Sequence, residues 1–121
     1  MIQDFIDEYL ASAEEALTVD YSDKRSVRRY NALVERMRAI ADAVVNLGPD
    51  AVLQFTSLLD KDPAAIWAAH HLVEKADLDD VTLSRCFECV ENEKRAAEEK
   101  GDLANAMGEE MWLKEWKTRN G

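Results

Sequence analysis

Apolar residues recur every three or four positions through the first 17 residues of the chain. An α-helix completes one turn in about 3.6 residues, so side chains at this spacing lie on one helical face. Acidic residues occupy the opposite side, where they meet solvent. The pattern predicts an amphipathic first helix, and its apolar face consists of Ile2, Phe5, Ile6, Tyr9, Leu10, Ala13, Ala16 and Leu17.

Five more helices are predicted from the same spacing and from residues that begin or end helices. Ser22 or Asp23 is a favoured residue for the start of the second helix. Gly48 and Pro49 end it, because glycine adopts the left-handed conformation and proline cannot continue the hydrogen-bond ladder. The later helices cover about residues 23–47, 50–59 and 64–76, then the stretch from the acidic turn at 77–80 to about 100, and finally 102–117.

The second helix has an apolar face so wide that it indicates neighbours on two sides. No segment of the chain shows the alternation of apolar and polar residues that is typical of a strand. The sequence therefore predicts one all-α domain over residues 1–121, with about six helices in antiparallel hairpins. The wide face of the second helix consists of Val27, Tyr30, Leu33, Val34, Met37, Ile40, Ala41, Val44 and Leu47.

The last predicted helix carries Trp112 and Trp116 in a segment that is otherwise rich in charge. At about 100° per residue, both tryptophans fall on one half of the helix, and Glu110, Lys114 and Lys117 fall on the other. Large aromatic side chains are usually buried, so we expect the tryptophans to cover the open end of the core. The rest of the predicted inward half consists of Ala104, Met107, Gly108 and Met111.

Two segments of the chain resemble a known type of helical repeat. Residues 58–75, LLDKDPAAIWAAHHLVEK, join a helix end to an alanine-rich helix through a turn that contains proline, and residues 113–116 read LKEW. Together they resemble a small uncharacterised bacterial family of HEAT-like helical-repeat domains, a domain of unknown function. The resemblance covers residues 50–116, although Ala65 and Ile66 stand where many HEAT repeats carry an arginine. It implies a right-handed α–α superhelix and no particular reaction.

The composition limits the classes of partner. The chain has 121 residues and a formal net charge of −10, which disfavours nucleic acids and anionic membranes because phosphate binding needs a positive surface. An acidic surface instead favours a basic protein partner. The N-terminus lacks the pattern of a signal peptide, and no apolar stretch approaches the roughly 20 residues of a membrane span. We expect a cytoplasmic protein.

Cys86 and Cys89 form a C-x-x-C pair, the spacing that zinc sites and dithiol enzymes use. The only histidines that could complete a zinc site, His70 and His71, are adjacent in a helix and point about 100° apart. Redox catalysis would need the first cysteine at a helix N-terminus, but both lie inside a predicted helix. The sequence favours free, buried or half-buried thiols, and a metal or thiol protein remains an alternative.

His70 and His71 could also anchor an acid–base site, with Glu74 one turn beyond His70. No serine or cysteine nucleophile lies near them in sequence, and none of the four glycines belongs to a phosphate-binding loop. We expect histidines at the border of the core. The sequence predicts a protein that is not an enzyme and that uses no cofactor.

Two features remain as candidate binding signals. Arg25, Arg29 and Arg36 share an outer stripe of the second helix, and the alternative to partner binding is that they pair with acidic residues of the first helix. Trp67 lies on the side of its helix away from the buried alanines. It is either covered by a neighbouring hairpin or exposed as an aromatic anchor for a partner.

These observations predict a protein–protein interaction module that docks a partner, most simply a basic one, through its acidic surface. Small acidic domains of this kind can act as antitoxins or immunity proteins. The alternative is a homo-oligomeric structural protein, with Met111, Trp112 and Trp116 in the seam of a homodimer. The candidate partner-binding residues are Trp67, Trp112, Trp116, Arg25, Arg29 and Arg36.

Overall fold

The computed structural model describes residues 1–120, which form six α-helices and one short 3₁₀ helix and contain no β-strand. The predicted all-α class is therefore confirmed for these residues. Gly121, the last residue of the predicted domain, lies outside them. The helices are α1 (Ile2–Ala16), α2 (Lys24–Leu47), α3 (Pro49–Phe55), the 3₁₀ helix (Thr56–Asp60), α4 (Ala64–Lys75), α5 (Asp80–Lys100) and α6 (Leu103–Asn120).

The helix ends follow the predicted capping chemistry. The carboxylates of Asp23 and Asp79 each accept a hydrogen bond from a backbone N–H in the first turn of α2 and α5. Gly101 ends α5 in the left-handed conformation, with φ of 76°. Gly48 ends α2 with φ of 112° and ψ of −179°, which is a positive-φ conformation but not the predicted left-handed one, and Pro49 is the first residue of α3. Asp caps and glycine therefore set the ends of α2 and α5, whereas α1, α3 and α4 begin without a side-chain cap.

The third helix is shorter than predicted. The α-helical part ends at Phe55, and the chain tightens into the 3₁₀ helix for its last five residues. The hydroxyl of Thr56 donates a hydrogen bond to the carbonyl oxygen of Leu53, 2.5 Å away. This bond satisfies a carbonyl group at the end of the helix. Threonine is also a weak helix former, so both effects favour an end to the α-helix at this residue.

The helices pack as two antiparallel hairpins, α1 with α2 and α5 with α6, and α4 contacts both of them. The first and last of the predicted hairpins are confirmed. The predicted middle hairpin is not formed by α3 and α4, since α4 packs on the 3₁₀ helix and on α5, and the right-handed superhelical stack stays a prediction. Ala68 and Ala69 of α4 have no exposed surface, so the neighbouring helices approach this helix closely. Among residues 1–120, no helix combines the length and the apolar character that crossing a lipid bilayer requires.

One apolar core draws residues from every α-helix. At its centre the rings of Tyr9 and Phe55 meet edge to face, with 4.9 Å between centroids. Leu17 and Leu47, which the pattern placed on the apolar faces of the first two helices, are exposed because they lie at or just beyond the helix ends. The fully buried larger side chains are Tyr9, Phe55, Met37, Ile40, Leu58, Val44, Val90 and Cys86.

The predicted orientation of the last helix was wrong for most of its inward half. Ala106 and Leu113 are the buried residues of α6, and Trp112 and Trp116 are half-buried against the core. The remaining four residues of the predicted inward half lie in solvent. They are Ala104, Met107, Gly108 and Met111.

Two ion pairs to α5 accompany this rotation of α6, which buries Ala106 and Leu113. Glu110 and Lys117 were predicted to face outward, but Glu110 lies 2.5 Å from Lys94 and Lys117 pairs with Glu91. Both contacts require these side chains to point toward α5. The side of α6 that carries Met107 and Met111 therefore faces solvent, away from the rest of the chain.

Candidate functional site

A cleft of about 640 Å³ lies over the outer face of α4, with residues of both hairpins in its walls. One wall is aromatic: the rings of Trp67 and Tyr30 meet at 60° with 6.4 Å between centroids. Trp67 is half-buried, so the structure lies between the two predicted alternatives of a covered and an exposed ring. We call this site the Trp67 cleft, and its aromatic and apolar lining consists of Leu17, Tyr30, Pro63, Ile66, Trp67 and Ala96.

The polar lining of the Trp67 cleft is mainly acidic, with three carboxyl groups and one ammonium group. The side-chain amide of Asn105 donates a hydrogen bond to Glu93, 3.3 Å away, which holds the carboxylate at the edge of the cleft. No serine, threonine or cysteine belongs to this lining among residues 1–120. The polar lining residues are Asp62, His70, Glu93, Lys100, Asn105 and Glu109.

His70 and Glu109 form the most enclosed polar pair of the cleft. His70 Nε2 lies 2.9 Å from Glu109 Oε2, and the two side chains are 20% and 13% exposed. The ring of Trp112 meets the imidazole edge to face at 4.2 Å, and the Trp112 indole N–H donates to Glu74 Oε2 at 3.0 Å. This network joins α4 to α6 at the floor of the cleft. Glu74, the partner that the sequence suggested, is farther from His70, at 3.9 Å.

The adjacent His71 points the other way, into the core. Its Nδ1 lies 2.6 Å from the hydroxyl oxygen of Tyr9. Burial lowers the pKa of His71 to about 4, so the ring is neutral near pH 7. The two histidines therefore share no site, as their positions on the helix predicted.

Trp112 and Trp116 pack against the core, as the sequence predicted. Trp112 lies 6.0 Å from the ring of Phe87 and 6.1 Å from Trp116, and the guanidinium of Arg119 lies 4.7 Å from the centroid of Trp116. Their rings are half-buried. This position places both tryptophans beside α5 and leaves Trp67 as the tryptophan in the wall of the cleft.

The predicted arginine stripe is mostly paired within the chain. Arg29 donates two hydrogen bonds to Glu15, at 2.5 and 3.0 Å, and Arg36 pairs in the same two-pronged way with Glu8. The arginine in each pair holds the pKa of the carboxyl group below its usual value. The alternative of pairing with the first helix is confirmed for Arg29 and Arg36. Arg25 is exposed and forms no salt bridge with any of residues 1–120.

The two cysteines are free thiols inside α5, as predicted. Burial raises the pKa of Cys86 to about 12, so its reactive thiolate form is rare near neutral pH. Burial also raises the pKa of Cys89, whose thiol donates to the carbonyl oxygen of Leu59 at 3.6 Å. Within residues 1–120, no group of three or more His, Cys, Asp or Glu side chains is placed to hold a metal ion.

A second groove, of about 390 Å³, lies beside the turn between α2 and α3. Its lining is mostly apolar, with Val45, Val52 and Leu78 among it. Of its two carboxylates, Asp79 already caps α5. The groove therefore offers fewer polar groups that could orient a ligand than the Trp67 cleft does.

No protein family, curated protein or solved structure matches this chain. The resemblance to HEAT-like domains therefore stays a prediction. The Trp67 cleft, with its aromatic wall and its excess of carboxylates, is the feature from which a function can be inferred.

Proposed function

We propose that this chain is a non-catalytic protein-binding module and that the Trp67 cleft receives a cationic side chain of a basic partner. The supporting observation is that two aromatic rings and three carboxyl groups line the same cleft. A guanidinium or ammonium group is attracted both to the face of an aromatic ring and to carboxylates. A volume of about 640 Å³ also falls in the usual range for ligand sites.

The charge of the whole chain supports the same class of partner. A formal net charge of −10 attracts a cationic protein over long distances and speeds its association, and salt weakens this attraction. The HEAT-like resemblance is consistent with binding, because helical-repeat proteins commonly use the concave surface of their stack to hold other proteins. The more specific proposal is that the chain acts in the cytoplasm as an antitoxin or immunity protein. In that role it would cover the basic active site of its partner.

The proposal is tested by comparing two small probes of nearly the same shape. The amide of acetyl-arginine carries a guanidinium group, and the amide of acetyl-citrulline carries a neutral urea group in its place. Titration of ¹⁵N-labelled protein, followed by NMR, should shift the indole signal of Trp67 and the side-chain amide of Asn105 with the arginine probe. Citrulline should shift them much less. Equal shifts with both probes, or shifts that lie outside the cleft, would contradict the proposal.

Matched variants localise the binding. Glu93→Gln removes one carboxylate from the cleft and should weaken binding of the arginine probe about two- to five-fold, the usual worth of an exposed ion pair. Glu88→Gln removes an exposed carboxylate from the same helix outside the cleft and should leave binding unchanged. Thermal melting verifies that both variants fold. Equal weakening in both variants would mean that general charge, and not the cleft, attracts the probe.

A further inference from the structure

Helix α6 presents an apolar strip to solvent on the side away from α5. Leu103, Met107 and Met111 follow one another at intervals of one turn and are 66%, 65% and 68% exposed. Ala104 and Gly108 lie beside them on the same face. We call these five residues the α6 stripe.

The α6 stripe differs from the other exposed apolar residues. Of the nine large hydrophobic residues that are exposed within residues 1–120, three lie in this single strip, and the others are spread over different elements. Single exposed apolar residues are ordinary, whereas a continuous strip on one helix is typical of a contact surface. We propose that the stripe binds a second copy of this chain, with the two α6 helices packed antiparallel in a symmetric homodimer.

The shape of the stripe allows another helix to approach closely. A side chain added at Gly108 would meet no atom within 4 Å, so the space above this residue is open. Small residues between large ones form a groove into which the methionines of a partner helix fit. The stripe spans about 12 Å along the helix, and an antiparallel partner placed over its centre brings Met107 against the same residue of the second copy.

The charges at the two ends of the stripe favour the antiparallel direction. At the C-terminal end Lys117 and Arg119 already pair within the chain, with Glu91 and Glu115, which leaves the exposed Lys114 as the basic side chain outside any salt bridge of residues 1–120. At the N-terminal end Glu99 and Asp102 are exposed and form no salt bridge among the same residues. With Met107 near the two-fold axis, the basic end of each helix lies beside the acidic corner of the other copy. A parallel pair would instead place like charges together. The strip is apolar, so it suits a second copy better than it suits the basic partner proposed for the cleft.

The homodimer is independent of the proposed function. Asn105 and Glu109, the α6 residues of the Trp67 cleft, lie on the far side of the helix from the α6 stripe. Both copies therefore keep an open cleft. Of the seam residues predicted from sequence, Met111 remains, while Trp112 and Trp116 pack within the chain. The contact is small, so we expect a weak dimer with a dissociation constant of about micromolar order.

Sedimentation at several protein concentrations tests the dimer, with a charge-swap pair as the specific readout. Met107→Glu and Met107→Lys each place like charges together at the two-fold axis and should raise the dissociation constant at least tenfold. An equimolar mixture of the two variants should restore a dimer, because opposite charges then meet. Leu53→Glu introduces the same charge at an exposed apolar position on α3 and should leave the association unchanged. Since these residues are exposed, each variant should melt close to the parent chain.

Cysteine cross-linking tests the antiparallel direction. A mixture of Leu103→Cys and Met111→Cys chains should form mixed disulfide dimers under mild oxidation, whereas each variant alone should form few. Cross-linking of each variant with itself would indicate a parallel pair and overturn the proposed geometry. A monomer at all concentrations, larger assemblies, or no rescue in the charge-swap mixture would overturn the homodimer itself. None of these results affects binding of the arginine probe to the cleft.

Discussion

We expect acid to destabilise the fold through His71, well before the carboxylates are protonated. The ring is buried, with 8% of its surface exposed, and its Nδ1 lies 2.6 Å from the Tyr9 hydroxyl oxygen. Burial disfavours the charged imidazolium and lowers the pKa of His71 to about 4. Three nearby basic groups lower this pKa further and one carboxylate opposes them: Lys75, Arg38, His70 and Asp42.

The sign and size of the effect follow from the two states of the chain. In the unfolded chain His71 binds its proton near pH 6.5, and in the folded chain only near pH 4. Between these values the unfolded state binds more protons, so the free energy of unfolding falls as the pH falls. One pKa unit is worth about 1.4 kcal/mol, which gives a loss of about 2 kcal/mol from pH 7 to pH 5. The total loss is about 3 kcal/mol once the pH is below the folded pKa.

Urea unfolding at a series of pH values between 7 and 5 measures this slope, in the parent chain and in His71→Gln. Glutamine does not titrate, so the slope of the variant should be smaller by about 2 kcal/mol over this range, whatever its stability at pH 7. The pKa values of the Glu8 and Glu15 carboxyl groups are lowered, so these groups change the free energy of unfolding only below the pH range from 7 to 5. Equal slopes in the two proteins, or a His71 ring that NMR shows to titrate near pH 6.5 in the folded chain, would refute the reasoning.

Two pairs of substitutions test the packing and the helix ends by urea or thermal unfolding. Met37→Ala empties a fully buried position and should cost about 2–5 kcal/mol, while Met111→Ala at an exposed position of the same residue type should cost little. Gly101→Ala forces a Cβ into a left-handed conformation and should cost about 1–2 kcal/mol. Gly108→Ala, inside α6, should have the opposite sign, because alanine favours the helix. A large loss of stability in Met111→Ala would contradict the assigned burial, and a loss of stability in Gly108→Ala would contradict the assigned helix.

The helix ends could be predicted from the sequence because they depend on neighbours in the chain. Asp23 caps α2 through a hydrogen bond to a backbone group two residues away, and Gly101 supplies the left-handed residue that ends α5. The spacing of apolar residues in α1 likewise depends only on helical geometry. Interactions of this kind require no knowledge of the fold.

The orientation of α6 could not be predicted in the same way, since the helix is apolar on two sides. Met111 and Leu113 point in different directions, and hydrophobicity alone favours neither as the buried residue. The choice depends on long-range contacts, such as the pair between Lys94 and Glu110. A pattern that identifies a helix correctly can therefore still assign the wrong face to the core.

The Trp67 cleft was predictable only in part. The sequence singled out Trp67 as a candidate anchor and His70 as a polar group near the core. It gave no signal for Glu109, the closest partner of His70, which lies 39 residues farther along the chain. The sequence placed Tyr30 on the apolar face of the second helix. In the structure it is half-buried and supplies the second aromatic ring in the wall of the Trp67 cleft. Tertiary packing alone brings these residues together.

The tight packing of α4 also limits how this sequence can evolve. Ala68 and Ala69 have no exposed surface, so any larger side chain there must push a neighbouring helix aside, at a cost of about 1–3 kcal/mol. A typical domain is stable by only about 5–15 kcal/mol, so one such mutation would remove about a fifth of its stability. We expect diverged descendants of this chain to differ most on the charged outer faces of the hairpins and to retain small residues at these two positions.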